Sequence, residues 1–344
     1  MDKNYTRKDV SKESIELTLS IPSDAFIKSY NTLLEKESRD VDMKGFRKGT
    51  VPSEIIEGKL KERLMFETFE RIAPLYVSQA VTGESIELVA PPAYKGIHKL
   101  EKGKDISFTV VCTVMPEFKL GNMKKVKVES KKVEVDEKEM ESVMKELEQR
   151  KTTAKKGTDK WALEIAKSLN LTDVKTLNEL KEEVKERLLA QKEMNIRKEQ
   201  ENSVLLQAIE LCKITIPQAA IDYEALEREN AFSQTLAEKK LTMEQFLTSN
   251  NIKLETMREM WKKDADEALK TDVFLKLYAK ENKVEVSDEE LQTEVDKVKK
   301  EHAGHDHDYY DDPQWREYIK RVILKQKAYD TFIAKAIPVK KGEK

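Results

Sequence analysis

Cysteine, glycine and proline are all scarce in this sequence. Its 344 residues include 2 Cys, 10 Gly and 9 Pro, so glycine and proline each supply about 3% of the chain, against usual shares of about 7% and 5%. That shortage excludes collagen, glycine- or proline-rich disorder and all-β folds built on many tight turns. Cys112 and Cys212 lie far apart and lack the CxxC spacing of a zinc or thioredoxin-like site. Each has apolar neighbours, Val111 and Val114 or Leu211 and Ile214, and both read as buried structural thiols. Long hydrophobic runs are missing too. No stretch approaches 18 apolar residues, and Met1 to Val10 carry no apolar signal core, so the expectation is a soluble cytoplasmic protein without membrane contact. An excess of either charge is also absent, with 63 basic and 65 acidic side chains and a net charge of -2. No global field draws the chain to nucleic acid, and no specific DNA contact is expected. The nucleotide and catalytic signatures GxxxxGK[ST], GxGxxG, HExxH and GxSxG do not occur, and His98 has no identifiable catalytic partner. These absences point to ATP-independent action without a cofactor.

What the chain has is charge and helical periodicity. Charged residues make up 37% and hydrophobic ones 39%, so a charged fraction well above the usual ~25% must cover a large surface rather than replace a core. An elongated, helix-rich protein follows. Residues 14–22 alternate, placing Ile15, Leu17, Leu19 and Ile21 on one strand face. Ser23-Asp24 then caps a helix bearing Phe26, Tyr30, Leu33 and Leu34, and after a break from Gly45 to Pro52 a second helix runs through Ile55, Ile56, Leu60, Leu64, Phe69, Ile72 and Leu75. Residues 105–115 alternate again through Ile106, Phe108, Val110, Cys112 and Val114. The order strand, helix, loop, helix, strand makes residues 1–115 a compact α+β domain.

Residues 116–160 form a link. Val126, Val128, Val133 and Val135 alternate in an extended linker or strand, and Asp136 with Glu139 forms a capping box. A helix through Met140, Val143, Met144 and Leu147 follows, and a polar connector runs from Arg150 to Lys160. From 161 to 344 the pattern is helical throughout. Starts are marked at Thr176 with Glu179, Thr242 with Gln245, near Leu254, Ser287 with Glu290, and Asp312-Pro313, and Ile216-Pro217 is a break. At least five or six helices are expected there, with apolar stripes such as Ile221 and Leu226, Met257, Trp261 and Ala265, or Leu291, Val295 and Val298.

The most unusual local sequence is Lys44-Gly45-Phe46-Arg47-Lys48-Gly49-Thr50-Val51-Pro52, in which Lys44, Arg47 and Lys48 stand without an acid. Two glycines free the backbone for a tight exposed turn, Pro52 begins the next helix, and Phe46 sits between cations as an apolar anchor for an acidic or RNA-rich surface. A solvated basic turn is the plain alternative. The GFRKGxVP stretch resembles the signature loop of trigger factor, the bacterial ribosome-associated chaperone. The order of the first domain, the segment 124–150 and the helical remainder with Tyr310-Asp-Asp-Pro-Gln-Trp-Arg-Glu-Tyr318 extend the resemblance over nearly the whole chain. It implies ribosome contact by Gly45, Phe46, Arg47, Lys48, Gly49 and Pro52, on the large subunit beside the exit tunnel. It also implies a helical substrate-binding domain at 161–344 for unfolded or nascent polypeptides, and a possible homodimer when free. One departure stands out. Family members usually carry an FKBP-like prolyl isomerase domain after the helix that ends here near Arg150, where this chain has only its short connector. The isomerase activity is therefore not carried over.

In the helical region, pliable Met140, Met144, Met194, Met243, Met257 and Met260 would let a concave surface bury client side chains interchangeably, although for any single residue a core role is the simpler reading. His302, His305 and His307 lie among Asp306, Asp308, Asp311 and Asp312, a composition able to bind Zn²⁺ or Ni²⁺, yet a solvated loop accounts for it better and no metal is assigned. The rival readings are a ribosome-independent holdase or assembly chaperone and a nominal prolyl isomerase of the same family.

Overall fold

A computed structural model describes residues 4–40, 46, 51–97, 100–129, 132–301 and 308–338. The chain forms two compact units that interleave in sequence, Met1–Phe118 with Thr215–Lys270, and Lys119–Ile214 with Thr271–Lys344.

In the first unit, strands β1 (Tyr5–Ser11), β2 (Ser14–Ile21), β3 (Ala93–Ile97) and β4 (Ile106–Thr113) form one antiparallel sheet in spatial order β1-β2-β4-β3. The expected alternation is the register: Leu17 opposes Val110 and Leu19 opposes Phe108, all buried on one face. Helices α1 (Ser23–Asp40) and α2 (Ser53–Gly83) pack on each other, and Phe26, Tyr30, Ile56, Leu64 and Phe69 close the core over that face. Each fully buried Val, Leu, Ile or Phe contributes roughly 1.5–3 kcal/mol. A one-residue slip of β2 would turn Ile15, Leu17, Leu19 and Ile21 outward, a loss approaching the whole stability of a typical domain. The first turn of α1 is held by a group absent from the sequence pattern: the Ser23 N–H donates to Asp105 Oδ1 at 2.9 Å, from just before β4.

Two strands escaped the pattern. All of β3 is exposed, and β1 is exposed apart from half-buried Tyr5, so neither alternates. Tyr5, Arg7 and Asp9 oppose the inward residues Leu19, Leu17 and Ile15, which puts charge on the inner side of an edge strand. The Tyr5 hydroxyl donates to Glu84 at 3.1 Å, and Arg7 donates to Asp9 at 2.9 Å and to Glu84 at 3.4 Å. At the other edge, β3 loses register between Tyr94 and Ile97, where Gly96 adopts φ +86°.

The described helices beyond the sheet are α3 (Glu137–Glu148), α4 (Asp159–Ser168), α5 (Leu177–Cys212), α6 (Gln218–Glu238), α7 (Met243–Asn250), α8 (Leu254–Glu281), α9 (Asp288–Glu301) and α10 (Pro313–Ala336). Their starts follow the capping chemistry read from the sequence. Asp136 with Glu139, Thr176 with Glu179 and Thr242 with Gln245 form reciprocal boxes, Ser287 and Glu290 do likewise, and Asp312 accepts from the Gln314 N–H at 2.7 Å. The first unit's second segment, residues 215–270, joins α6, α7 and the start of α8 through Phe232, Phe246 and Trp261, with ring centroids 5.0 and 5.8 Å apart, and through the two-pronged Arg258–Glu229 pair.

The second unit contains a small core in which α3, α4 and the start of α5 enclose Trp161 with Leu147, Ile165, Val174, Leu180 and Val184. Glu164 folds the preceding connector back by accepting from the Thr153 N–H at 2.7 Å, the Thr153 hydroxyl at 2.5 Å and the Ala154 N–H at 3.2 Å. A second core joins α9 to α10 through Leu291, Val295 and Ile319, and Phe274 and Tyr278 of α8 pack on Phe332 of α10 at 5.0 and 5.4 Å.

The described residues from 114 to 136 form no extended strand, although their valines are half-buried in alternation. Side chains of α5 replace a partner strand. Gln207 brackets Lys127, accepting from its N–H at 3.0 Å and donating to its carbonyl at 2.9 Å; Gln200 donates to the Glu129 carbonyl at 2.8 Å and Lys192 to the Glu134 carbonyl at 2.7 Å. Above these rungs the Gly121 N–H donates to the buried Cys212 Sγ at 3.3 Å.

Candidate functional site

The basic loop connects α1 to α2. Of its expected contact residues, Phe46 and Pro52 are described, while Gly45, Arg47, Lys48 and Gly49 lie outside the described residues. Phe46 is 38% exposed, an aromatic side chain left in water. Five residues on, Val51 is 5% exposed and belongs to the sheet domain's core, so the segment is anchored at the entry to α2. Pro52 precedes the helix with φ -58°, and its carbonyl accepts from the N–H groups of Ile55 and Ile56.

A network beside that entry went unseen in the sequence. The Tyr30 hydroxyl of α1 donates to Glu57 Oε1 of α2 at 3.3 Å, and Lys102 Nζ donates to the same oxygen at 2.7 Å while standing 4.7 Å from the Tyr30 ring centroid. Further along, Arg63 of α2 pairs with Glu37 of α1 at 3.7 Å and with Glu67 at 2.6 Å. Tyr30 carried an apolar-face signal only, and no spacing rule joins Glu57 to Lys102. Burial first, then the Glu57 charge, pushes the Tyr30 hydroxyl up to about 12. The Lys102 hydrogen bond holds the Glu57 carboxyl below its ordinary range, against some desolvation.

A carboxylate held low contributes stability above its unfolded pKa of about 4.3 and loses that contribution as pH falls through the folded value. Glu57→Gln should therefore destabilise the α1–α2 pair at neutral pH by no more than about 1 kcal/mol. The difference from the parent should vanish in acid below the usual carboxylate range. Hydrogen exchange of residues 51–60 at the two pH values measures it; a neutral-pH effect that persists in acid would refute the charge as its cause.

Apolar surface is plentiful on the helices. In residues 215–270, Leu226 is 52% and Met260 58% exposed, and Tyr223, Leu241 and Ile252 are exposed as well. In the second unit, Met194, Leu206, Tyr318 and Val322 are exposed, and a cavity of about 340 Å³ is lined by Gly121, Met123, Lys124, Tyr278, Phe332 and Lys335. The pliable methionines divide between roles: Met140 and Met144 pack onto the Trp161 core, whereas Met194 and Met260 face water. Leu75 and Leu226, expected within apolar stripes, are 61% and 52% exposed.

Cys112 and Cys212 are buried free thiols, both pushed up by desolvation. His98, His302, His305 and His307 lie outside the described residues. Among the described residues no group of three or more His, Cys, Asp or Glu side chains is arranged to hold a metal ion, and no helix is long and apolar enough to cross a membrane.

Two family models match the chain: that of the bacterial trigger factor protein over residues 3–147 and that of the trigger factor C-terminus over residues 176–334. Trigger factor of Staphylococcus epidermidis is 23% identical over 374 residues, covering 82% of this chain and 86% of the relative. That of Bacillus subtilis is 22% identical over 373 residues, covering 82% and 88%. That of Agathobacter rectalis is 30% identical over 160 residues, covering 46% and 36%. A solved structure from work on promiscuous substrate recognition by the trigger factor chaperone is similar at TM-score 0.49 and 17% identity, over 96% of this chain and 100% of that one. An alignment of 374 positions is longer than the 344-residue chain itself. The relative therefore carries internal residues with no counterpart here, and neither family match covers residues 148–175, where the short connector and α4 lie. With both terminal models matched in order, the chain belongs to the bacterial trigger factor family of chaperones.

Proposed function

We propose that this chain is an ATP-independent cytoplasmic chaperone that docks on the large ribosomal subunit near the exit tunnel and shields apolar segments of emerging polypeptides. In this reading residues 1–115 dock, residues 116–160 link, and residues 161–344 form the helical body that holds clients. Gly45, Phe46, Arg47, Lys48, Gly49 and Pro52 make the contact. The observation that carries the reading is an exposed Phe46 on a basic loop whose entry to α2 is anchored by buried Val51, in a chain of this family. An aromatic anchor flanked by cations buries apolar area and pairs with carboxylate or phosphate at once. Exposed Leu226, Met260, Met194 and Leu206 supply weak, interchangeable apolar contacts for clients. No isomerase activity is assigned, since only residues 149–158 separate α3 from α4.

Replacing Phe46, Arg47 and Lys48 together by alanine should abolish co-sedimentation with ribosomes while leaving the fold intact, because Phe46 takes no part in the core. Pelleting equal to the parent would sink the docking assignment. Suppression of client aggregation by a protein that never pellets with ribosomes would instead favour a ribosome-independent holdase.

A further inference from the structure

Residues 148–175 fall between the two family matches and differ from their surroundings in charge. From 150 to 168 the chain carries Arg150, Lys151, Lys155, Lys156, Lys160 and Lys167 against only Asp159 and Glu164. Both acids are engaged in folding the segment. Glu164 takes its three hydrogen bonds from Thr153 and Ala154, which hold its carboxyl below the ordinary range, and Asp159 Oδ1 accepts from the Leu177 N–H at 2.8 Å. The cations remain. Arg150, Lys151, Lys155, Lys156 and Lys160 are exposed, and none has an ion-pair partner among the described residues. At the turn after Lys156, exposed Gly157 adopts φ +74°, and no described atom beyond its chain neighbours lies within 4 Å of where its Cβ would stand. The connector is thus a folded, outward-facing cationic loop held at both ends.

We propose that this loop is a second contact surface, specific to a chain without the inserted domain, that binds the phosphodiester backbone of RNA. The segment has no exposed large apolar side chain, so it lacks the anchor that a protein interface or membrane insertion needs. Charge is what it offers, and clustered unpaired lysines on a loop match a polyphosphate, which they bind without reading sequence. The choice of RNA over DNA rests on the ribosome-docking reading; the cationic loop itself does not.

Fluorescence anisotropy of the full chain with a labelled RNA hairpin, over a series of KCl concentrations, tests this. Binding should weaken with salt, at a log–log slope of about 0.7 to 0.9 per phosphate contact. Lys155→Gln, Lys156→Gln, Lys160→Gln together should weaken binding at low salt about tenfold or more and reduce the slope by about 2 to 3. The corresponding Lys→Arg triple should retain binding. Lys181→Gln, Lys185→Gln, Lys198→Gln, an equal charge change at exposed positions of α5, should bind as the parent does. Equal weakening by both Gln triples, or no binding by the parent, would overturn the proposal. So would binding to phosphatidylserine vesicles or polyglutamate as tight as to the hairpin, and an equally tight DNA duplex would overturn the choice of RNA. Adding the Lys155→Gln, Lys156→Gln, Lys160→Gln changes to the Phe46, Arg47, Lys48 alanine variant should lower hairpin affinity by the same factor as in the parent, whatever that loop itself contributes, which separates failure here from failure of the docking reading.

Discussion

Replacing Trp161 by alanine should cost about 3 to 5 kcal/mol, the range for emptying a fully buried aromatic site, and should release α4 from its neighbours. Trp161 has no exposed surface and sits where Leu147 of α3, Ile165 of α4 and Leu180 and Val184 of α5 converge. The core is small, so little else can close over the void. Trp161→Phe should be far milder. The indole N–H has no acceptor among the described residues, and relieving a buried unpaired donor returns about 1 to 3 kcal/mol, offsetting much of the lost volume. Hydrogen exchange of residues 137–188 reads this locally, which matters because a chain of two units need not melt as one. Protection unchanged in the alanine variant, or lost equally in both, would refute this account of the core.

The second large effect is expected at Gly121. A Cβ built there lies 2.5 Å from the Leu211 carbonyl oxygen and 2.7 Å from its carbon, both backbone atoms of α5. Neither can rotate away, so Gly121→Ala must push the linker off the helix and break the Gly121 N–H to Cys212 contact. Strain from such overpacking is typically about 1 to 3 kcal/mol. It should appear as faster exchange at Lys127, whose N–H is held by Gln207 six residues downstream of the displaced point. Cys212→Ala, which removes the sulfur acceptor without creating a clash, should have the smaller effect. The reverse ranking would show that the sulfur contact outweighs the close approach.

What the sequence revealed divides by the range of the forces involved. Helix starts were legible because a cap is a local bargain between residues three apart, as at Thr176 with Glu179. Strands β2 and β4 were legible because one face of each is buried. Strands β1 and β3 were not, since edge strands with exposed faces leave no alternation even though each pairs with a strand close by in sequence. The linker valines carried a true signal with an ambiguous meaning: alternation reports burial on one side, and here α5 provides that side. Within the candidate site, the loop was recognisable through its resemblance to a family motif. Its support by Tyr30, Glu57 and Lys102 was not, because a hydrogen-bonded trio drawn from two helices and a later loop leaves no trace in spacing. Likewise the exposure of Leu75 and Leu226 could not be told from burial, since a helical stripe records spacing and not what covers it.

The charges of β1 have a consequence for coexistence with unfolded chains. A sheet edge is an open row of donors and acceptors, and any unfolded chain is rich in segments able to add to it. Arg7 and Asp9, placed on the inner side and tied to each other and, through Arg7, to Glu84, mean that an added strand would have to bury charge beside the core. An intruder is therefore penalised before it can zip up. A chain of a chaperone family thereby keeps its own sheet from seeding aggregates.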